Sequence, residues 1–267
     1  MNHIGCLKCW VFNFLTILLS GLSVGCKART DVLAPFTQVE GRRKISLLTL
    51  PLNTTSHNKI KGDKRIGPHS IDIISIIFGS LLGEGDVERK KDGTRITFFQ
   101  EAMHVKYLLW LHNQLAIRGY CNPTVPAIGK RLGKKGKVRK TIRFATWTYT
   151  SFDWIYDLWY VNGVKVVPST IGDYLTPLAL AIWVMDSGVK ASITQGGAGL
   201  KFINCFSYSD CLLLVQVLHK NFGLKAIIQS TGASSQFRIY IPKESMVDLR
   251  NKVGTFIIPE QKYKLLP

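Results

Sequence analysis

Two stretches of the chain share one design. Residues 76–89, IIFGSLLGEGDVER, are apolar until they reach Glu84 between two glycines. Residues 178–190, LALAIWVMDSGVK, are apolar until they reach Asp186, Ser187 and Gly188. The spacing predicts a buried helix in each, delivering polar side chains at its C-terminal end. The patterns that follow also correspond. After the first come a hairpin with an Asp92–Gly93 turn signal, a helix HVKYLLWLHNQLAIRG, two strands, and a helix SFDWIYDLWYV. After the second come strands around QGGAG, a helix SDCLLLVQVLHKNFG, strands LKAIIQS and QFRIYI, and a short helix opening at PKESMVDL.

Glu84 and Ser187 are 103 residues apart, and the glycines closing the second helices, Gly119 and Gly223, are 104 apart. So long and constant an offset predicts a duplicated αββαββα unit, two pseudo-symmetric halves and not a solenoid. The expected class is α+β, with halves at 66–164 and 165–267 and the two motif helices packed on each other. Gly79, Ser80 and Gly83 on the first helix, and Ala179 and Ala181 on the second, are the small residues expected at that contact. Two glycines in one short helix call for such a packing reason, because each lowers helix propensity.

Residues 1–65 read differently, as leader and linker. Residues 10–25 are apolar but interrupted by Asn13 and a little short of a membrane span. Lys8 before them and small residues after them suit either a secretory signal or a leader outside the fold, and the residues favour neither. Pro35, Pro51 and the basic trio Arg42, Arg43 and Lys44 mark the polar stretch that follows. The six cysteines form no disulfide framework, and the Cys6–Cys9 pair has no second pair or histidine at zinc spacing.

Charge then narrows the partner. In 267 residues, 35 Lys+Arg against 17 Asp+Glu leave a net +18, a field suited to nucleic acid or an anionic membrane surface. The cations are clustered. Lys130, Arg131, Lys134, Lys135, Lys137, Arg139, Lys140 and Arg143 lie within one predicted hairpin. Strand alternation sends about half of them to one face, a ribbon suited to a DNA groove. Arg89, Lys90, Lys91 and Arg95 on the first hairpin extend the stripe, and Lys190, Lys201 and Arg238 are the candidates on the second half.

Crossed helices ending side by side bring Glu84 close to Asp186 and Ser187. Carboxylates at helix C-termini are unfavourable unless a cation accompanies them. Oxygen ligands plus phosphate are what Mg²⁺ accepts, so Glu84 and Asp186 are candidate ligands for hydrolysis of a phosphodiester.

These motifs resemble the LAGLIDADG homing endonucleases in their double-motif, single-chain form. IFGSLLGEG (77–85) and LAIWVMDSG (180–188) stand at the two name-giving motifs, and the similarity runs from about Lys64 to the C-terminus. KVVPSTIGDYLTPLALAIW and FIIPEQKYKLLP resemble proteins of mitochondrial group I introns, and KRIGPHSIDIISIIFGSLLGEG and YLLWLHNQLAIRGYC resemble those of cytochrome oxidase subunit 1 introns. The resemblance implies a saddle of two sheets over double-stranded DNA, Mg²⁺-dependent cleavage, a monomer without a stable membrane partner, and a mitochondrial location. For some members it implies a maturase role on intron RNA. It puts the metal-binding acids at Glu84 and at Ser187, where the family usually has Asp. It also makes Lys165 and Lys264 the basic residues flanking the active sites. Asp186 lies one residue away, about 100° around the helix, and is expected to point elsewhere. The missing acid at Ser187 implies impaired cleavage.

Overall fold

Hydroxyl caps start the two motif helices and the long helix of the second half, and glycines end all three. The computed structural model describes residues 60–101, 104–132, 138–191, 199–203, 206–231 and 237–266. The first half contains α1 (Ile71–Leu82), β1 (Asp86–Lys90), β2 (Gly93–Glu101), α2 (Val105–Ala116), β3 (Gly129–Leu132), β4 (Val138–Ala145) and α3 (Asp153–Trp159). A small hairpin, β5 (Tyr160–Val161) with β6 (Val164–Lys165), and a single helical turn, α4 (Ile171–Tyr174), lead into the second half. There follow α5 (Pro177–Ser187), β7 (Gly188–Lys190), β8 (Leu200–Phe202), α6 (Tyr208–Phe222), β9 (Ile227–Ser230), β10 (Phe237–Ile241) and α7 (Met246–Val253).

The hydroxyl of Ser70 accepts the N–H of Ile73 ahead of α1, and that of Thr176 accepts the N–H of Ala179 ahead of α5, where Pro177 takes the first helical position. Ser207 does the same for α6, accepting from Asp210 at 3.1 Å. Gly223 closes that helix in the left-handed region (φ 69°), which a side chain would resist.

The duplication is visible in the sheets. Both are antiparallel and four-stranded, in the orders β1-β2-β4-β3 and β7-β8-β10-β9. On the first, Val87, Ile96, Phe98 and Ile142 are buried on one face beside Tyr107, Leu108, Leu111 and Leu115 of α2. On the second, Leu200, Phe202, Ile239 and Ile241 are buried beside Leu214 and Leu218 of α6.

Helices α1 and α5 pack at the centre, as the small residues foretold. A Cβ on Gly79 would run into the carbonyl of Ala179 and stand 2.7 Å from Cβ of Ile182. A Cβ on Gly83 would run into the Asp186 carboxylate. Ile182 and Asp186 are the residues 103 positions after Gly79 and Gly83, so the pseudo-equivalent pairs face each other. Ser80 and Ala181 are buried as well. Gly79, the one glycine inside α1, costs about 1 kcal/mol of helix propensity. Burial of Ile73, Ile76, Ile77, Phe78 and Leu81, at roughly 1.5–3 kcal/mol apiece, outweighs that cost. At the other end of the contact the Thr176 hydroxyl lies 2.7 Å from that of Ser75.

Three boundaries differ from the sequence expectation. The aromatic helix stops at Trp159, not Val161, because Asn162 (φ 51°) and Gly163 (φ 75°) form a two-residue hairpin turn. The fold includes residues before Ile66: Gly62–Lys64 form a 3₁₀ turn with Gly62 buried. In the first hairpin the turn residues are Lys91 and Asp92, with Gly93 (φ 123°) already paired to Lys90. The leader, Lys134, Lys135, Lys137 and most of QGGAG lie outside the described residues.

Candidate nucleic-acid interface and motif centre

The two motif ends are built from different chemistry. Beyond Leu82, the N–H groups of Gly83 and Gly85 both donate to the carbonyl of Ser80, at 3.0 and 2.8 Å, which winds up the helix and leaves Glu84 exposed. Gly85 is required there, since a Cβ would stand 2.8 Å from the backbone carbon of Ser80. Lys165, over the ring of Trp159, donates to the Gly85 carbonyl at 2.7 Å. A cation thus neutralises the partial negative charge of this helix end.

At the second end Asp186, not Ser187, reaches across to the partner helix. Its Oδ2 accepts the Glu84 N–H at 2.7 Å, and its Oδ1 accepts from the side-chain amide of Gln100. Burial pushes the carboxyl up to about 7; the nearby Glu84 adds to this, while the Glu84 N–H, Lys264 and Gln100 pull the other way. Ser187 is buried and its hydroxyl donates to the Trp183 carbonyl at 3.4 Å, within its own helix. Lys264 is also buried and donates to the carbonyls of Met185 (2.6 Å) and Val184 (3.2 Å). Burial lowers its ammonium to about 8, against the pull of Asp186.

The expectation that Asp186 points elsewhere is therefore corrected. It lies on the stripe of α5 that meets α1, one turn beyond Ile182, where Gly83 leaves room for its carboxylate. Sequence reasoning missed two neighbours. Gln100 is a buried amide at the end of the core face Ile96–Phe98–Gln100, and an amide in such an alternation is a readable signal. Tyr107 is the other: its buried hydroxyl is raised well above the ordinary value, by burial first and by Asp186 second.

These residues do not fit an acid pair holding a divalent metal. Both Asp186 oxygens are engaged and Ser187 offers a hydroxyl turned inward, which leaves the Glu84 carboxylate. Among the described residues no three His, Cys, Asp or Glu side chains converge to hold an ion.

Register sorts the cations. In the first sheet Glu88 pairs with Arg95, Phe99 with Arg143, Glu101 with Thr141 and Arg139 with Arg131. The face opposite the core therefore carries Lys90, Arg95, Arg139 and Arg143. Glu88 sits among them: Arg95 donates to its Oε2 through Nε (3.0 Å) and a terminal nitrogen (2.7 Å), Lys90 stands at 2.7 Å and Arg143 at 3.9 Å. Burial pushes the Glu88 carboxyl up, but Lys90 and Arg95 together hold it below the usual range. Arg139 pairs with Glu101 at 2.8 Å.

The cations of the stripe thus divide between two faces. Lys130 and Lys140 pair with each other on the side of Ile142, and Lys190 pairs with Leu200 on the core side of the second sheet. Arg89 turns to α3, bonding Asp157 at 2.9 Å and lying over Tyr156. Lys201 and Arg238 share the outward face of the second sheet with Tyr240. The period of two, not the charge count, decides which cations share a face.

Comparison with known proteins bears on this geometry. The LAGLIDADG DNA endonuclease family matches residues 74–249. The cytochrome b mRNA maturase bI2 of Saccharomyces cerevisiae is 47% identical over 224 residues, 80% of this chain and 52% of the relative, so the chain spans about half that protein's length. The intron-encoded endonuclease ai4 of Dictyostelium discoideum is 32% identical over 152 residues, covering 55% of this chain and 92% of the relative. A solved structure of the homing endonuclease I-WcaI bound to its DNA recognition sequence shares the fold, with a TM-score of 0.66 at 23% identity over 82% of this chain and 96% of that one.

Proposed function

The chain belongs to the LAGLIDADG DNA endonuclease family, and from that premise we propose that it is an intron-encoded, mitochondrial protein that binds double-stranded DNA and cleaves it poorly. Binding would use the outward faces of the two sheets, with Arg95, Arg139, Arg143 and Lys90 on one and Lys201 and Arg238 on the other. Arginine forks suit guanine edges and phosphates alike, and lysines suit phosphates. One observation carries the second clause. At the end of α5 the acid is committed to hydrogen bonds that hold the two helices together, and the residue at the motif position is a buried serine. Mg²⁺-dependent hydrolysis would have Glu84 alone as a free carboxylate, and loss of one acid between metals removes orders of magnitude in rate.

The same observation favours a second reading, a splicing cofactor on group I intron RNA. A chain that keeps its basic faces while losing an acid retains binding without hydrolysis, and the S. cerevisiae relative is named a maturase. Footprinting on a duplex carrying the joined exon flanks of the host intron tests the primary reading. Protection of the insertion site over a scrambled duplex is expected. Equal affinity for both duplexes, with tight binding to intron RNA, would overturn it in favour of the second.

A further inference from the structure

The segment before α1 brings basic residues to the tip of the first hairpin. A cleft of about 410 Å³ lies between Ile60–Arg65 and Lys90–Asp92, with Lys61, Arg65, Lys90 and Lys91 along its walls against one acid, Asp92. Two details show that it is built by the fold. Gly62 is buried where a Cβ would run into the Asp92 carbonyl and stand 3.0 Å from Thr148 Cγ2, so glycine lets the arm seat on the hairpin. Arg65 is held in place, its guanidinium 3.4 Å from the Thr148 carbonyl and 5.2 Å from the centre of the Trp147 ring.

Glu88 pairs with Lys90 at 2.7 Å, so Lys61, Arg65 and Lys91 are the cations set against Asp92 at the cleft, an excess of positive charge that draws an anion. The cleft is open, with polar and apolar surface in nearly equal share, and its lysines suit a phosphodiester chain passing through. Lys90 belongs to the outward face of the first sheet, so a duplex lying there carries its backbone to this cleft. We propose that the cleft seats backbone phosphates of the bound DNA duplex at the outer end of the first half. Lys61 and Arg65 are then nucleic-acid contacts supplied from outside the duplicated unit. The inference rests on the proposed DNA binding and extends its footprint. Such contacts position the duplex and read no sequence.

The test is the salt dependence of duplex affinity for the full chain, its Lys61→Ala/Lys91→Ala variant and Gly62→Ala. Both lysines are exposed, so the double variant should melt like the parent. Losing two phosphate contacts should flatten the slope of log affinity against log salt by about 1.8. Affinity should fall by the same factor on the intron-site duplex and on a scrambled duplex. Gly62→Ala, which pushes the arm off the hairpin, should move the slope in the same direction. An unchanged slope in the lysine variant would overturn the proposal, as would a loss confined to one sequence. A change seen on intron RNA but not on DNA would overturn it too. Failure of the parent to bind any duplex would instead overturn the proposed function on which the cleft depends.

Discussion

The ends of α1 and α5 occupy equivalent places in a duplicated fold, yet they handle charge in opposite ways. At the first, two glycines keep the backbone tight, Glu84 stands in solvent, and a half-buried lysine, Lys165, satisfies the carbonyl of Gly85. At the second, the acid is turned inward onto Glu84's own N–H, and a buried lysine, Lys264, reaches carbonyls in the last turn of the helix. Asp186 occupies the space that Gly83 vacates, so one helix has spent its carboxylate on the contact that the other left open. Pseudo-symmetry of backbone thus does not carry pseudo-symmetry of chemistry. A site made from two copies can lose one reactive group while the fold keeps the side chain's place.

Substitutions at the two helix ends measure how unequal they are. The largest effect on stability is expected from Lys264→Met, which strips two buried carbonyls and Asp186 of their cation and should cost about 3 kcal/mol. Lys165→Met, at the half-buried equivalent, should cost about 1 kcal/mol. Denaturant melts of the two variants measure the asymmetry directly, and equal losses would remove it. Gly83→Ala comes next: its methyl group would overlap the Asp186 carboxylate and should destabilise by about 2 kcal/mol. Pairing it with Asp186→Ala should recover part of that loss.

A pH series sharpens the same point. Asp186 titrates near 7 in the folded chain against 3.8 ordinarily, so folding favours its protonated form. That contribution is complete below about pH 4 and is lost as pH rises through 7. Stability followed from pH 4 to 7 should decline in the native chain, and Asp186→Asn should remove much of that decline. The smallest expected effect is on the sheet. Glu88→Gln should raise affinity for a scrambled duplex a few-fold, by removing the acid among Lys90, Arg95 and Arg143. A fall in affinity would show that Glu88 orients those cations for phosphate instead.

Much of the architecture was legible because it is carried by periods and punctuation. The apolar runs, the glycine-closed helices and the 103-residue offset gave the duplicated unit, and Gly79 and Gly83 pointed to the helix contact. What failed were side-chain directions that the period alone does not set. Asp186 was assigned by counting along an ideal helix, whereas its direction follows from the space beside Gly83. Alternation divides the lysines and arginines of the hairpin, but which set faces outward, Arg139 and Arg143 and not Lys130 and Lys140, follows from where the core lies against Ile142. Asn162–Gly163 is a readable turn signal, but in the sequence the aromatic pattern of residues 152–159 continues into Tyr160 and masks it.

Plasmid cleavage reads out whether the second motif end still serves hydrolysis. A supercoiled plasmid carrying the joined exon flanks would be incubated with Mg²⁺ and the native chain, Ser187→Asp, or Glu84→Gln with Ser187→Asp. The account predicts that the native chain binds the plasmid but leaves it closed or slowly nicked. Ser187→Asp should cleave orders of magnitude faster, as expected for a restored metal-binding acid, and Glu84→Gln should abolish that gain. Rapid linearisation by the native chain at the rate of Ser187→Asp would contradict it, because Asp186 would then be serving the chemistry and not the helix contact.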